Sequence, residues 1–175
     1  MDTQETEGAQ VTQEPPIHPQ TRIGHVHLKV SDLERSVRFY SEVFGFELQQ
    51  RFGNSAAFLS AGGYHHHIGL NTWESKGAPP APRRTAGLYH FAILYATRVE
   101  LARALRRVLE HGIPLEGASD HGVSQAIYLR EPDDNGIEIY WDRDPADWPR
   151  VDGEIAMVSA PLDLNALLAE PDREG

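Results

Sequence analysis

Apolar residues along this chain fall into one pattern that occurs twice. Residues 23–30, I-G-H-V-H-L-K-V, alternate as a half-buried strand does. The next residues, S-D-L-E, space Ser31 and Glu34 as a capping box, in which each side chain satisfies an orphan amide of the helix start. Leu33, Val37, Tyr40 and Phe44 then recur at three- and four-residue spacing, which predicts an amphipathic helix stopped by Gly45. Short strands are expected over 46–52, 56–61 and 65–72. From residue 88 the order repeats. A strand over 88–95 leads to T-R-V-E, a second capping box with Thr97 and Glu100. Leu101, Leu105, Val108 and Leu109 mark a second helix ending at Gly112, and strands are expected near 114–117, 123–130 and 136–142.

The offsets between the copies are steady: 66 from Ser31 to Thr97, and 67 both from Gly45 to Gly112 and from Leu48 to Leu115. His25 and His90 open the first strand of each copy, 65 residues apart. A repeat of this length is one βαβββ unit, duplicated inside a single domain. The expected fold class is therefore α+β, with paired βαβββ modules over 22–73 and 88–142 inside a domain spanning 22–150. The stretch 74–87 holds three prolines and suits an extended connector. Residues 1–21, polar, acidic and proline-bearing, read as a disordered arm. In the tail over 151–175, P-L-D-L-N-A-L-L-A suits a short helix.

Composition narrows the chemistry. With 16 basic and 26 acidic residues, the formal charge of -10 is wrong for a nucleic-acid partner. The chain has no cysteine, which excludes disulfides, thiolate metal sites and a cysteine nucleophile. No apolar stretch approaches the roughly 18 residues needed to span a membrane. The N-terminus lacks the basic start and apolar segment of a signal peptide, so a cytoplasmic location is expected.

Nitrogen and oxygen ligands remain, and His25, His90 and Glu138 stand out. Two imidazoles and one carboxylate leave metal positions open, the arrangement with which non-haem Fe(II) oxygenases hold substrate and O₂ together. The plainer alternatives are half-buried strand histidines and a carboxylate on an exposed strand edge, since I-E-I-Y around Glu138 suits either. His27 shares the strand face of His25 and would orient a ligand. The first-copy equivalent of Glu138 is Ile68 or Gly69, depending on the alignment, and neither side chain binds metal. The triplet His65, His66 and His67 would split across both faces of a strand. Anchoring Phe58 on Tyr128 places His66 on the metal side, and a one-residue slip would place His67 there. His111 sits in the last turn of a helix, where a cation complements the dipole without any catalytic role.

The segment H-V-H-L-K-V-S-D-L-E-R-S-V-R-F-Y-S-E-V-F-G-F resembles the opening of the vicinal oxygen chelate superfamily, which includes glyoxalase I, bleomycin and fosfomycin resistance proteins, and type I extradiol dioxygenases. Four further stretches, F-L-S-A-G-G-Y-H-H-H-I-G-L-N, G-L-Y-H-F-A-I, D-H-G-V-S-Q-A-I-Y-L and D-N-G-I-E-I-Y-W-D, resemble catechol 2,3-dioxygenases. The likeness covers residues 22–150. It implies Fe(II), or Mn(II), held by His25, His90 and Glu138, with His66 giving acid–base help during the oxygen chemistry. His121 and Tyr128 match the pair that hydrogen-bonds the catecholate. The implied substrates are a small aromatic diol and O₂, and the implied activity is extradiol ring cleavage. Glyoxalase I carries a fourth ligand where this chain has Ile68 or Gly69, which favours the oxygenase over a glyoxalase-like isomerase. A resistance transferase and a metal-free drug-binding protein are the other activities the superfamily implies. Extradiol enzymes of this kind usually carry two duplicated domains; this chain has one, which implies a homodimer or a cleft completed by a partner.

Overall fold

The computed structural model describes residues 16–171. Two small sheets repeat one topology. In the first module, β1 (Val26–Lys29) leads to α1 (Leu33–Glu42), then β2 (Glu47–Phe52), β3 (Ala56–Ser60) and β4 (Ile68–Asn71), with strand order β1-β4-β3-β2. The second runs β5 (Phe91–Leu94), α2 (Arg98–Glu110), β6 (Leu115–Asp120), β7 (Ser124–Arg130) and β8 (Gly136–Asp142), with β5 parallel to β8 as β1 is to β4. The copies share even their irregularities. The register slips between Leu48 and Gln50 in β2 and between Leu115 and Gly117 in β6, each bulge lying 67 residues from the other. After β8 come a small hairpin, β9 (Arg150–Val151) and β10 (Glu154–Ile155), then β11 (Ala160–Pro161) and α3 (Leu164–Leu168). β11 extends the second sheet by pairing antiparallel with β6. Most of the arm expected over 1–21, and the last four residues of the tail, lie outside the described residues; 21–25 are irregular.

Strand alternation decides which face is buried. Leu28, Leu59, Ile68 and Leu70 in the first sheet, and Ile127, Leu129, Ile137 and Ile139 in the second, join the helix residues Leu33, Val37, Tyr40, Leu101, Leu105 and Val108 in one core. The opposite faces carry His27, Phe58 and Gly69, and Ala92, Tyr128 and Glu138. The same alternation that builds the core thus turns His27, Tyr128 and Glu138, the strand residues singled out for chemistry, to the face opposite it. Gly45 and Gly112 end the two long helices with φ of +79° and +66°, the left-handed conformation that glycine adopts without steric cost.

The first capping box is not formed. Asp32, not Ser31, is the N-cap of α1, its carboxylate accepting from the Arg35 amide at 3.0 Å. Glu34 pairs with Arg51 instead of reaching back. Ser31 is drawn away by Asp133 in the β7–β8 turn, which accepts from the Ser31 amide at 3.0 Å, from its hydroxyl and from Arg35. In the second module Thr97 does cap α2, accepting from the Glu100 amide at 3.2 Å. Asp133 therefore ties the modules together.

Burial alone would raise the Asp133 carboxyl, but the hydrogen bonds from Ser31 and Arg35 outweigh it and hold the group below its ordinary range. A depressed carboxyl stabilises the fold above its unfolded value of about 3.9, and that contribution is lost as pH falls through the lower folded value. Asp133→Asn is accordingly expected to cost about 2 kcal/mol at neutral pH, the scale of a charge-assisted hydrogen-bond group with one partly exposed partner. In urea melts, the gap between variant and wild type should close below about pH 4. A gap unchanged at acid pH would show that the carboxylate charge is not what matters.

Candidate metal centre

Glu131 closes the turn that delivers Glu138. Buried at the end of β7, its Oε1 accepts from the amides of Asp133 and Asn135 and from the Asn135 side chain at 2.7–3.0 Å. Asp134 takes a φ of +68° inside this turn. β8 then starts at Gly136, hard against the beginning of β5: an added Cβ would collide with the Tyr89 carbonyl oxygen and stand 3.1 Å from the His90 Cβ. Because the strands touch here, His90 and Glu138 point from neighbouring strands toward one spot. His90 Nε2 lies 2.9 Å from Glu138 Oε2, with both side chains largely shielded from solvent.

Tyr128 stands directly opposite Glu138 in the β7–β8 register and adds its hydroxyl to the same group. Tyr128 Oη is 3.4 Å from Glu138 Oε1 and 2.8 Å from His121 Nε2. Burial and the Glu138 charge push the Tyr128 phenol up to about 12, so it is a protonated donor at neutral pH. His121, just past β6, holds its Nδ1 2.9 Å from the Val158 carbonyl oxygen. Four of the six site residues expected from sequence, His90, Glu138, Tyr128 and His121, thus form one continuous chain of contacts. A cavity of about 140 Å³ beside them is lined by Tyr89, His90, Tyr128 and Gly136 among others. That is below the roughly 300 Å³ of a small-molecule pocket. A larger hollow of about 540 Å³ lies on the helix side against α2 and contains none of these residues.

His25 and His66 form a second group on the first module, their rings 4.4 Å apart. His66 also packs on Phe58 at 5.1 Å, and its Nδ1 lies 2.7 Å from that of His65. The histidine triplet is not in a strand: it sits in the loop before β4, which begins at Ile68. His66 turns toward His25, while His67 turns to the Ser60 hydroxyl at 3.1 Å. Burial first, and then the neighbouring histidines, keep the His66 imidazole below its ordinary pKa, so at neutral pH it is a free base.

Strand pairing settles which first-module residue corresponds to Glu138. Tyr128 pairs with Glu138 and Ala92 with Glu138; Phe58 pairs with Gly69 and His27 with Gly69. The slot is Gly69, not Ile68. The His27 ring fills it, since a Cβ on Gly69 would stand 2.9 Å from that ring. The same register makes His25 the structural equivalent of His90, each two residues before the strand residue that faces the slot.

The donor set suits a divalent cation: His90 and Glu138 already converge, and neither spends its site-facing atoms on other charged groups. Among the described residues, no three His, Cys, Asp or Glu side chains stand together closely enough to hold a metal as placed. His90 and Glu138 supply one half and His25 lies in the other. Sequence reasoning missed the Val158 carbonyl, which carries no sequence signal, and the tight junction at Gly136, for which a glycine two residues before the carboxylate was the available sign.

Paired βαβββ modules of one repeated topology define the class of fold. Residues 22–139 match the Glyoxalase/Bleomycin resistance protein/Dioxygenase superfamily, and the chain belongs to that family. It is 41% identical over 160 residues to a catechol-2,3-dioxygenase of Bacillus subtilis, covering 90% of this chain and 55% of that enzyme. The chain thus spans about half the length of that relative. Among solved structures, a glyoxalase/dioxygenase from Nostoc punctiforme superposes with a TM-score of 0.60 at 20% identity, over 76% of this chain and 100% of that one. A lactoylglutathione lyase from Agrobacterium tumefaciens gives 0.55 at 22% identity, over 71% and 96%. These two show the fold alone. Among the described residues, no helix is long and apolar enough to cross a membrane.

Proposed function

We propose that this protein is a metal-dependent extradiol dioxygenase that opens a catechol-like ring with O₂. The observation that carries this reading is the His90–Glu138 pair at 2.9 Å, set against a glycine, Gly69, in the equivalent place of the other module. One carboxylate, with no fourth ligand opposite, makes a three-ligand site with open positions. Similarity to a catechol-2,3-dioxygenase supports the same choice.

His25, His90 and Glu138 would hold the ion, with the cleft formed within one chain or between two copies. Fe(II), or Mn(II), when bound there would supply a template for the vicinal ring oxygens and O₂ and a route for electron density between them. The protein's own groups do the rest. His66, a free base at neutral pH, takes a proton from the diol side and returns it later in the reaction. With substrate bound, Tyr128, linked to His121 at 2.8 Å in the free protein, turns its one hydrogen to the charge that develops on the ring oxygens, and His121 holds the phenol in place. Phe58 and the exposed Trp73, flanking His27, give an aromatic ring an apolar wall.

Anaerobic purification with metal analysis, followed by a catechol and air, tests the proposal. Near-stoichiometric Fe or Mn and a yellow ring-fission product are expected. Bound metal without colour across several catechols would move the function to another reaction of the superfamily, and no metal under any loading condition would remove the metalloenzyme reading altogether.

A further inference from the structure

The segment that follows the repeat is bound to the candidate site at one point, and the chemistry of that point is directional. His121 and Val158 are joined twice: the Val158 amide donates to the His121 carbonyl at 3.0 Å, and His121 Nδ1 lies 2.9 Å from the Val158 carbonyl oxygen. The segment is anchored on both sides. β11 pairs Ala160 with Asp120, next to His121, and α3 beyond it buries Leu167 completely. On the near side, Gly122 at a φ of +75° leaves room for Pro149 and Val158, which a Cβ would approach to 2.9 and 3.3 Å. None of residues 149–161 lies within the residues matched by the family model.

A carbonyl oxygen only accepts, so His121 Nδ1 must carry the hydrogen in this contact. In neutral imidazole the other nitrogen, Nε2, is then a bare acceptor. Its partner at 2.8 Å is the Tyr128 hydroxyl, which has one hydrogen to give. That hydrogen goes to His121, and the 3.4 Å approach of Tyr128 to Glu138 is left without one. The unequal distances agree with that direction.

We propose that the main-chain carbonyl of Val158 fixes His121 in its Nδ1–H tautomer, turning the Tyr128 hydrogen toward His121 and leaving Glu138 Oε1 free. This rests on the proposed roles of His121 and Glu138. In the opposite tautomer Nε2 donates to Tyr128, Tyr128 donates to Glu138, and one carboxylate oxygen is taken by a hydrogen bond. The segment 149–161 is thus a positioning element: it touches no substrate and acts through His121.

Two-bond ¹H–¹⁵N correlation of the imidazole rings in metal-free, ¹⁵N-labelled protein reads the tautomer directly. Spectra are taken at alkaline pH, and His121→Gln identifies the signals. Wild type is expected to favour Nδ1–H by about tenfold or more, the factor given by one ordinary hydrogen bond. Val158→Pro removes the amide that locks the pair, and Gly122→Ala drives the segment off by contact with Pro149. Either should bring the Nε2–H form to comparable population while far-ultraviolet circular dichroism stays unchanged; a merely structural role would not move this ratio. An Nε2–H ring in wild type, or a ratio unchanged in whichever variants fold, would overturn the proposal. If His121→Gln retains full ring cleavage while wild type is Nδ1–H, the functional reading fails and the tautomer assignment stands. If cleavage depends on His121 but the ring is Nε2–H, this inference alone fails.

Discussion

Glu138→Gln is expected to lower ring cleavage about 10³-fold or more and to leave the purified protein with little metal. Removing several kcal/mol of charge stabilisation from the reacting centre corresponds to that factor, at about 1.4 kcal/mol per tenfold. Glutamine keeps the size and one acceptor oxygen of the side chain but removes the carboxylate that meets His90. The fold should not suffer. Glu138 lies on the open face of β8, its side chain 14% exposed, and among the described residues is tied to His90 and Tyr128. Replacing a partly buried charge with a neutral amide relieves desolvation and offsets the loss of the His90 contact. Urea midpoints should therefore stay within about 1 kcal/mol of wild type in the metal-free protein. His111→Gln is the matched control. That ring caps the end of α2, its Nδ1 2.7 Å from the Arg107 carbonyl, and lies outside both histidine groups, so activity and metal content should be those of wild type. Full metal content and full rate in Glu138→Gln would sink the ligand assignment, whatever the activity of the protein proves to be.

The duplicated plan was legible because each copy carries the same punctuation. Helix-ending glycines sit 67 residues apart and adopt the same left-handed backbone, and the bulges in β2 and β6 keep the same spacing. Local signals failed where a distant residue competed for the same group. Ser31 and Glu34 have the right spacing for a capping box, but Asp133, 102 residues from Ser31, offers a carboxylate to the Ser31 hydroxyl and amide, and Asp32 takes over as cap. No window around Ser31 contains that information. The histidine triplet failed differently. Period-two alternation was extended back from β4 into 65–67, where the chain is a loop, so the face of each ring follows from contacts with His25 and Ser60 rather than from parity. The two candidates for the slot opposite Glu138 differed by one residue of register, which only the pairing of Phe58 with Gly69 decides. The Val158 carbonyl had no sequence signal at all, because every residue has one.

Gly136→Ala should be the most damaging single-methyl change in the second module, costing about 3 kcal/mol in urea unfolding and reducing ring cleavage on the order of 100-fold even where the protein remains folded. The cost does not come from backbone conformation, since Gly136 has no positive φ. It comes from what the methyl would meet: the Tyr89 carbonyl oxygen first, then His90 Cβ at 3.1 Å and Cα at 3.2 Å. Two of these three are backbone atoms of the residues leading into β5, and they cannot rotate aside as a flexible side-chain tip would. Relief requires β8 to move away from β5 at the place where Glu138 reaches His90, so the stability loss and the activity loss share one cause. Gly53→Ala provides the contrast. Gly53 has a φ of +55° and nothing within 4 Å of an added Cβ, so alanine there pays only for the left-handed backbone, about 1–2 kcal/mol, and leaves the site untouched. Equal stability losses in the two variants with full activity in both would mean that β5 and β8 yield freely. The 2.9 Å approach of His90 to Glu138 would then be a loose encounter instead of a geometry built in by the strand junction.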